Sequence, residues 1–296
     1  MKCKNELATL AILFMSLFVL VACSGEDDNM KPVEPQLPTL TDAQVNALSG
    51  KTFYFAHQSV GYNIVDGVEK VLEKMGYPNL FKVKELKPGE PVPTGGLLHS
   101  TVGENGDPAS KMSEFQAYLD ERLGNARPDM AMLKFCYVDI GKDTDVSALA
   151  NEYSQTMSKL DARHPETVFL HTTVPLRVFN DGWKATIKRL FGMVVWGDQA
   201  NIKRNEYNAL IRSKYAITGR LADIADWESR FPDGREYRVD VLGGRYAALI
   251  PAYTDDGRHL NAYGQQIVAG RLLEFLAGLV TETPGSEAQS DEARSL

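Results

Sequence analysis

Two short motifs near opposite ends of the chain carry side chains that could act together in hydrolysis. Ser59 ends the first apolar segment, and Asp256-Gly257-Arg258-His259 stands just before the last helical segment. A serine hydroxyl is a poor nucleophile until a base removes its proton, and histidine suits that task because it changes charge near neutral pH. A carboxylate three residues earlier can turn back onto the ring and hold the tautomer that faces the serine. The motifs therefore indicate a catalytic set of Ser59, His259 and Asp256.

Each motif alone has a simpler interpretation. A serine at the end of a strand is more often a turn residue or a helix cap, and an Asp-x-x-His pair also arises in helix caps. The catalytic interpretation depends on their joint placement, because four further strand-like segments separate them in the order that one α/β fold requires. The fold must then bring Ser59 and His259 to the same edge of one sheet.

Strand and helix patterns alternate through the body of the chain. Segments typical of strands are 52–56, 81–86, 129–137, 167–173 and 221–225. Helical spacing of apolar residues occurs in segments 65–75, 112–119, 149–160, 200–215 and 260–279. Five strands separated by helices predict a three-layer α/β/α sandwich with a mostly parallel five-stranded sheet. Such sheets carry their active sites at the carboxyl ends of the strands, where Ser59 falls.

Three other segments lie where they could border the site. Residues 88–108 are rich in Gly and Pro and predict a loop. Residues 178–199 form an aromatic-rich insertion, which either walls the cleft and stacks on a sugar ring or packs as an ordinary amphipathic helix. Residues 227–253 predict a loop or hairpin directly before the Asp-x-x-His motif.

Both motifs resemble those of the SGNH hydrolases, also called the GDSL esterase/lipase superfamily, and the resemblance covers most of the chain between about residues 50 and 277. Ser59 matches the position of the family's nucleophile, although the usual Gly-Asp-Ser reads His57-Gln58-Ser59 here. The Asp-x-x-His motif matches directly. The resemblance implies a flavodoxin-like α/β fold and a serine hydrolase that cleaves esters through an acyl-enzyme, without a cofactor.

The family binds the oxyanion with a glycine after its second strand and an asparagine after its third, and this chain departs from that pattern. The resemblance implies Gly106, immediately before a helix, as the glycine donor. Val138 stands where the family has asparagine, and Asn105 is a candidate substitute. The departure does not change the fold prediction, but it leaves one oxyanion donor unassigned.

The other histidines have less defined roles. His57 lies one strand period before Ser59, so it is a candidate for the substrate pocket; a hydrogen-bonded histidine at a strand end is an equal alternative. His171 ends a predicted strand and could line the cleft, although a structural role is favoured. His99 and His164 are predicted at the surface. Their spacing matches no metal site, so no metal is predicted.

The N-terminus predicts an export signal and a lipid anchor. Residues 1–22 combine two early lysines with an uncharged apolar run that is short for a membrane span, and small residues precede Cys23. This pattern resembles the processing site of bacterial lipoproteins, in which the cysteine is lipidated; an ordinary secretory signal is the alternative. Residues 23–40 predict a flexible tether, and its acidic residues resemble an export signal for surface lipoproteins of the outer membrane.

Charge and cysteine content exclude several partners and sites. The formal net charge is −7, and it becomes −8 without residues 1–22, because two lysines and one glutamate leave. Such a surface repels nucleic acid. Cys136 is the one cysteine of the predicted domain, 41–281, so neither an internal disulfide nor a cysteine-based metal site is expected there. Residues 282–296 are polar and predict a disordered tail.

These features predict a lipid-anchored serine esterase of the cell envelope that removes ester groups, such as O-acetyl groups, from extracellular carbohydrate. Its expected partners are an ester-bearing substrate and, through the lipid anchor only, a membrane; the sequence does not indicate an oligomeric state. A catalytically weak or inactive domain that binds glycan is the first alternative, which the missing asparagine favours. A lipase or thioesterase is the second, although it would need a wider apolar cleft.

Overall fold

One sheet of six parallel strands forms the centre of the protein. The strands are β1 (Thr52–His57), β2 (Val83–Glu85), β3 (Gly96–Thr101), β4 (Met130–Leu133), β5 (Val168–Thr172) and β6 (Leu221–Ala222). They lie side by side in the order β2-β3-β1-β4-β5-β6, and every neighbouring pair is parallel. The structure is a computed structural model that describes residues 35–87, 90–124, 126–179, 182–191, 193, 195 and 197–281.

Helices connect the strands and cover the sheet. They are α1 (Asp42–Ser49), α2 (Val60–Lys74), α3 (Pro108–Ala117), α4 (Val146–Arg163), α5 (Trp183–Leu190), α6 (Asp198–Tyr215), α7 (Ile224–Ser229) and α8 (Ala262–Thr281). Short helical turns occur at Tyr118–Arg122, Tyr137–Asp139, Ala216–Thr218 and Pro251–Tyr253. A hairpin of β7 (Arg238–Val241) and β8 (Gly244–Ala247) stands apart from the main sheet. It lies within residues 227–253, so the hairpin alternative for that segment is the one observed.

The sheet separates two apolar layers, because successive side chains of a strand point to opposite faces. Phe53 and Phe55 of β1 pack with α2 and α8 on one face. Tyr54 and Ala56 pack with α3, α4 and α6 on the other face. The three-layer α/β/α prediction is therefore confirmed. Among the described residues, the buried members of the hydrophobic clusters all lie between Leu48 and Val280.

The strand count differs from the prediction, because the segment 88–108 is not only a loop. It contains β3, which pairs with β2 on one side and with β1 on the other. Glycines and prolines around this short strand hide its pattern in the sequence. The hydrogen bonds that hold β3 come from neighbours distant in sequence, so they form only in the assembled sheet. The predicted strand in segment 81–86 is observed as β2, which lies at one edge of the sheet.

Two predicted strands are shorter than expected, and for β6 the reason is a helix that begins where the strand was predicted to continue. β6 ends at Ala222, and Asp223 caps α7 by accepting a hydrogen bond from the Asp226 N–H at 3.1 Å. β4 ends at Leu133, and the turn Tyr137–Asp139 follows it. An aspartate that accepts from its own following backbone is typical of a helix start and ends a strand.

The N-terminal boundary of the folded body lies earlier than residue 40. Pro38 is buried, and the Gln266 side chain of α8 donates to the Pro35 carbonyl at 3.5 Å. The predicted signal peptide 1–22, lipidation site Cys23, most of the tether 23–40 and the tail 282–296 lie outside the described residues. Among the helices that the structure describes, none combines the length and apolar content that crossing a bilayer requires.

Candidate active site

The turn between β1 and α2 presents Ser59 in a strained backbone conformation. Its φ is 49° and its ψ is −106°, which is unusual for a residue other than glycine. Ser59 precedes the first residue of α2, but its side chain makes no capping hydrogen bond. The preceding side chain, Gln58, fixes the turn by donating to the carbonyls of Val102 and Gly103 at 3.3 and 2.8 Å. The simpler interpretation of Ser59 as a helix cap is therefore wrong.

The turn before α8 holds Asp256 and His259 together. The backbone N–H groups of Arg258 and His259 both donate to Asp256 Oδ1 at 2.8 Å. Gly257 has a φ of +76°, and a Cβ there would lie 2.7 Å from the Val178 side chain. This position therefore requires glycine, both for its conformation and for the close approach of Val178.

The fold brings the three predicted residues into one continuous hydrogen-bonded set. The Ser59 hydroxyl lies 2.7 Å from His259 Nε2, and His259 Nδ1 lies 2.7 Å from Asp256 Oδ2. Asp256 accepts from Nδ1–H, so Nε2 is left as the acceptor for the serine proton. The side chains of His259 and Asp256 are each 39% exposed, so the set lies at an open surface.

Asp256 is held in its charged form. Burial by itself would raise its pKa, but hydrogen bonds from the backbone and the ring of His259 and from the Arg258 backbone outweigh that effect. The resulting pKa lies well below the ordinary range of an aspartate. An ionised carboxylate at Nδ1 would stabilise a protonated His259 ring.

Gly106 does not offer the oxyanion contact that the resemblance implied. Its N–H donates to Asp139 Oδ1 at 2.8 Å, because Asp139 reaches back from the turn after β4. Asn105 is exposed, and its side-chain oxygen accepts from Lys111 at 3.0 Å. The Gly106 N–H is therefore engaged in holding the loop after β3, whereas Asn105 is engaged there through its oxygen and its amide N–H groups stay a candidate donor. The assignment of Gly106 as an oxyanion donor is corrected on this ground.

Asp139 is the centre of that arrangement and was missed in the sequence. Lys111 Nζ donates to both of its carboxylate oxygens, at 2.8 and 2.6 Å, and both side chains are fully buried. The Cys136 N–H donates to Asp139 Oδ2 at 2.6 Å. The pair ties the loop before α3 to the carboxyl end of β4. A charged residue between the apolar Val138 and Ile140 was the available sequence signal.

Tyr137 lies against the candidate base. Its ring centroid is 5.9 Å from that of His259 in an edge-to-face arrangement. The guanidinium carbons of Arg177 and Arg204 lie 5.6 and 5.8 Å from the centre of the Tyr137 ring. Arg204 also donates to the Tyr137 carbonyl at 2.7 Å. These contacts fix the ring beside the site. The neighbouring Val138, which stands where the family has asparagine, is 41% exposed.

His57 is a buried structural histidine, which settles the two alternatives for it. It shares a hydrogen bond of 3.1 Å between its Nε2 and Nδ1 of His99. A Cβ at Gly61 would lie 2.3 Å from the His57 ring, so the first turn of α2 packs directly on the imidazole. His99 is only 5% exposed, so its predicted surface position is wrong. It belongs to β3, the strand that the sequence did not reveal.

His171 lies away from the candidate site. Its Nδ1 is 3.1 Å from the Tyr153 hydroxyl, and its ring stacks on Tyr215 with centroids 3.4 Å apart. It borders a pocket of about 360 Å³ whose lining contains none of the three catalytic candidates. A role for His171 in the substrate pocket is therefore corrected to the structural role that the sequence favoured. Within the described ranges, no group of three or more His, Cys, Asp or Glu side chains is arranged to hold a metal ion.

Comparison with known proteins gives similarity to solved structures only. Neither models of protein families nor curated proteins match the chain. The structure titled "Peptidoglycan O-acetylesterase in action" is 10% identical, covers 81% of this chain and 95% of its own, and has a TM-score of 0.49. A carbohydrate esterase family 2 enzyme plus carbohydrate binding domain from Corynascus thermopiles is 11% identical, covers 78% and 67%, and has a TM-score of 0.42.

A third solved structure, provisionally described as a lipolytic protein of the G-D-S-L family, comes from Desulfitobacterium hafniense. It is 8% identical, covers 76% of this chain and 99% of its own, and has a TM-score of 0.43. Of these three neighbours, this one is described as a G-D-S-L family protein, and all three have low sequence identity to this chain. The role of each residue in this chain therefore rests on its own geometry.

Proposed function

We propose that this protein is a serine hydrolase that cleaves carboxylic esters. The observation that carries the proposal is the continuous contact from Ser59 through His259 to Asp256, with both separations at 2.7 Å. The strained backbone of Ser59 adds to it, because strain at a single non-glycine residue persists only where the surroundings impose it. The serine side chain is directed to the histidine and not to the helix that it precedes.

The geometry supports a two-step reaction. His259 Nε2 removes the proton of Ser59 as its oxygen attacks the ester carbonyl carbon, and Asp256 stabilises the imidazolium. The imidazolium then gives its proton to the departing alcohol, which leaves an acyl group on Ser59. Water attacks that acyl-enzyme with His259 again as base, and the carboxylic acid and the free serine result.

The tetrahedral intermediate needs hydrogen-bond donors, and Gly106 does not supply one. The Ser59 N–H lies at the N-terminal end of α2, where the helix dipole favours negative charge. We assign Tyr137 as the second donor, since its ring is fixed beside His259. Its hydroxyl has no hydrogen-bond partner within the described part of the chain. Burial raises the pKa of Tyr137, and Arg258 only partly offsets this, so the phenol remains a donor at neutral pH.

We propose O-acetyl groups on extracellular carbohydrate as the substrate. The candidate catalytic set is open to solvent, with 39% of the His259 side chain exposed. An open site can accept a bulky polar alcohol, whereas a long acyl chain needs an apolar channel that removes it from water. The proposed location is the outer membrane of a bacterial cell envelope, through lipid on Cys23.

Hydrolysis of a chromogenic aryl acetate tests the proposal. The protein lacking residues 1–23 is compared with its Ser59→Ala variant and with Ser213→Ala, which removes an exposed hydroxyl bonded to the Leu210 carbonyl. We expect Ser59→Ala to lose about 10³-fold or more in kcat and Ser213→Ala to match the unaltered protein. Equal rates in the Ser59→Ala variant would contradict the proposal. Labelling with an organophosphonate, followed by peptide mass spectrometry, locates the nucleophile independently.

The engaged Gly106 N–H favours one alternative, a weak or inactive domain that binds glycan. The two functions separate in the same assay. An inactive domain would give neither turnover nor a phosphonate adduct, yet would still bind acetylated polysaccharide in an isothermal titration.

A further inference from the structure

Helix α5 presents apolar side chains to solvent instead of to the core. Trp183 is 70% exposed, Ile187 is 46% exposed and Leu190 is 82% exposed. Phe191 and Met193, directly after the helix, are 74% and 54% exposed. We call these five residues the α5 stripe. Contiguous exposed apolar groups of this size are rare on a soluble monomer and mark an interaction surface.

The stripe is one face of the helix. Trp183, Ile187 and Leu190 are separated by four and three residues, so they lie in a row along the helix. Ala185 is 4% exposed and faces the body of the protein. The helix therefore rests on the protein through a small residue and turns its large apolar residues outward. In α5 this arrangement is the reverse of the ordinary packing that was one of the two interpretations of segment 178–199, whereas Phe179 and Val195 of the same segment are buried.

Basic residues surround the stripe. Lys184 and Lys188 are both exposed, and Lys184 Nζ lies 5.5 Å from the Trp183 ring. From residue 183 to residue 197 the sequence has three basic residues and no Asp or Glu, although the whole chain carries a net charge of −7. Two exposed lysines therefore lie beside the stripe on a chain of net negative charge, and they complement an anionic partner.

We propose that the α5 stripe docks on a bilayer surface that contains anionic phospholipid. A basic helix with Trp, Leu and Phe on one side has the composition of helices that lie in the membrane interface. Trp suits that interface because its ring is apolar and its N–H is polar. A second copy of the chain is disfavoured as the occupant, because a twofold contact would bring the lysines of two identical stripes together.

The docking goes beyond the proposed ester hydrolysis and does not depend on it, and a short chain segment links α5 to the candidate catalytic turn. The segment that leads into α5 starts at Val178, whose N–H donates to the Gly257 carbonyl at 3.2 Å in the turn that holds His259. A protein docked through α5 would hold its candidate catalytic turn near the bilayer. The lipid on Cys23 would supply a separate attachment, as two weak signals do in stable membrane anchoring.

Vesicle co-sedimentation of the protein lacking residues 1–23 tests docking without the lipid anchor. One set of vesicles contains phosphatidylcholine alone, and the other contains phosphatidylcholine with about 25% phosphatidylglycerol. Binding to each set is measured at low and at high salt. We expect the bound fraction to rise with phosphatidylglycerol and fall with salt. The variant Trp183→Ser/Leu190→Ser/Phe191→Ser should bind the mixed vesicles at least about tenfold more weakly. Lys184→Glu/Lys188→Glu should lose the preference for phosphatidylglycerol.

Ile217→Ser is the matched control, because Ile217 is 92% exposed but lies outside the stripe. It should bind as the unaltered protein does, and every variant should keep its hydrolysis of soluble aryl acetate. Equal binding by the triple serine variant, or no binding by the unaltered protein, overturns the proposal. Sedimentation velocity gives a further test. If the unaltered protein is a dimer and the triple serine variant is a monomer, the stripe binds a second copy of the chain and the proposal is overturned.

Discussion

The Ser59 hydroxyl lies 2.7 Å from His259 Nε2, although 200 positions separate the two residues in sequence. The packing of α2 on α8 explains why Ser59 and His259 are in contact. α2 starts directly after Ser59, and a Cβ at Gly67 would lie 2.6 Å from the Gln265 carbonyl of α8. The Leu260 N–H also donates to the Asn63 side chain at 3.3 Å. Close contact between the two helices therefore fixes the serine and histidine at one rim of the sheet.

Asp256→Asn should abolish most activity with little change in fold. The amide can donate to His259 Nδ1 and so favours the tautomer whose Nε2 carries the proton and cannot accept from Ser59. We expect kcat for aryl acetate to fall by roughly 10³- to 10⁴-fold, with a much smaller change in KM. Steady-state kinetics on the purified variant measure both parameters.

The adjacent aspartate supplies the control for that substitution. Asp255 is exposed and accepts a hydrogen bond from the Asn261 side chain at 3.1 Å. Asp255→Asn makes the same chemical change one residue away, and it should leave kcat within about twofold, since surface changes are usually small in effect. Similar losses in both variants would mean that the turn itself, not the carboxylate of Asp256, is what the substitution disturbs.

Tyr137→Phe should lower kcat by about 10²- to 10³-fold, the usual effect of removing one oxyanion donor. Phenylalanine keeps the ring that packs beside His259 and under Arg177, so the fold should be retained. The loss should appear in kcat more than in KM, because the donor acts on the oxyanion and not on the bound ester. Tyr215→Phe removes a hydroxyl that bonds Ser154 in the opposite layer and should leave kcat unchanged. A fully active Tyr137→Phe variant would require another donor.

The parts of the fold that the sequence predicted are those with a strong local pattern. β1 alternates between two apolar layers, and the long helices α4, α6 and α8 carry regular apolar spacing. The pairing of Ser59 with His259 could be predicted because Ser59 ends a strand of a parallel sheet and because the resemblance to the SGNH hydrolases implies that the Asp-x-x-His motif meets this serine. The elements missed in the sequence depend on contacts between distant residues.

The loop after β3 shows why the rest of the site could not be predicted. A glycine in the right position suggested a free N–H, but the carboxylate of Asp139, 33 residues later, accepts from it. His99 likewise stands in a Gly- and Pro-rich segment that predicts a surface loop, but β3 places it between β1 and β2, where it bonds His57. Such polar contacts leave no periodic signal, because a single partner at any distance satisfies them.

Lys111→Met should destabilise the protein by about 3–5 kcal/mol, because it leaves the buried Asp139 carboxylate without its cation. Urea unfolding followed by circular dichroism measures the loss. Lys142→Met removes an ammonium group from an exposed pair with Asp143 and should cost less than about 1 kcal/mol. Comparable losses in the two variants would contradict a central structural role for the buried pair.

His171→Gln should become relatively less damaging as the pH falls. Burial first, and then the positive charges of Arg220 and Lys214, lower the pKa of His171 to about 3. Below a pH of about 6.5, the pKa of histidine in the unfolded chain, the unfolded chain therefore binds a proton that the folded chain does not bind. His171 thus lowers the free energy of unfolding as the pH falls. Between pH 7 and pH 5.5 the deficit of His171→Gln relative to the unaltered protein should shrink by about 1 kcal/mol. Urea unfolding at both pH values measures it, and a constant deficit would contradict a buried neutral histidine.

Glu228→Gln should show the opposite pH dependence. Burial raises the pKa of Glu228 to about 8, and a hydrogen bond from the Leu176 N–H and the charge of Lys134 only partly oppose it. Between pH 4.5, near the pKa of the unfolded chain, and about pH 8, the folded chain therefore keeps a proton on Glu228 that the unfolded chain releases. The contribution of Glu228 to the free energy of unfolding falls as the pH rises through this range. Glutamine keeps an oxygen for the Leu176 N–H, which donates to Glu228 Oε2 at 2.8 Å, and it cannot ionise. From pH 5.5 to pH 7, the stability of Glu228→Gln relative to the unaltered protein should rise by about 1–2 kcal/mol.

The same urea titrations test both variants, His171→Gln and Glu228→Gln. A change of the same sign in both would show that a general charge effect, and not the burial of these two groups, sets the pH dependence.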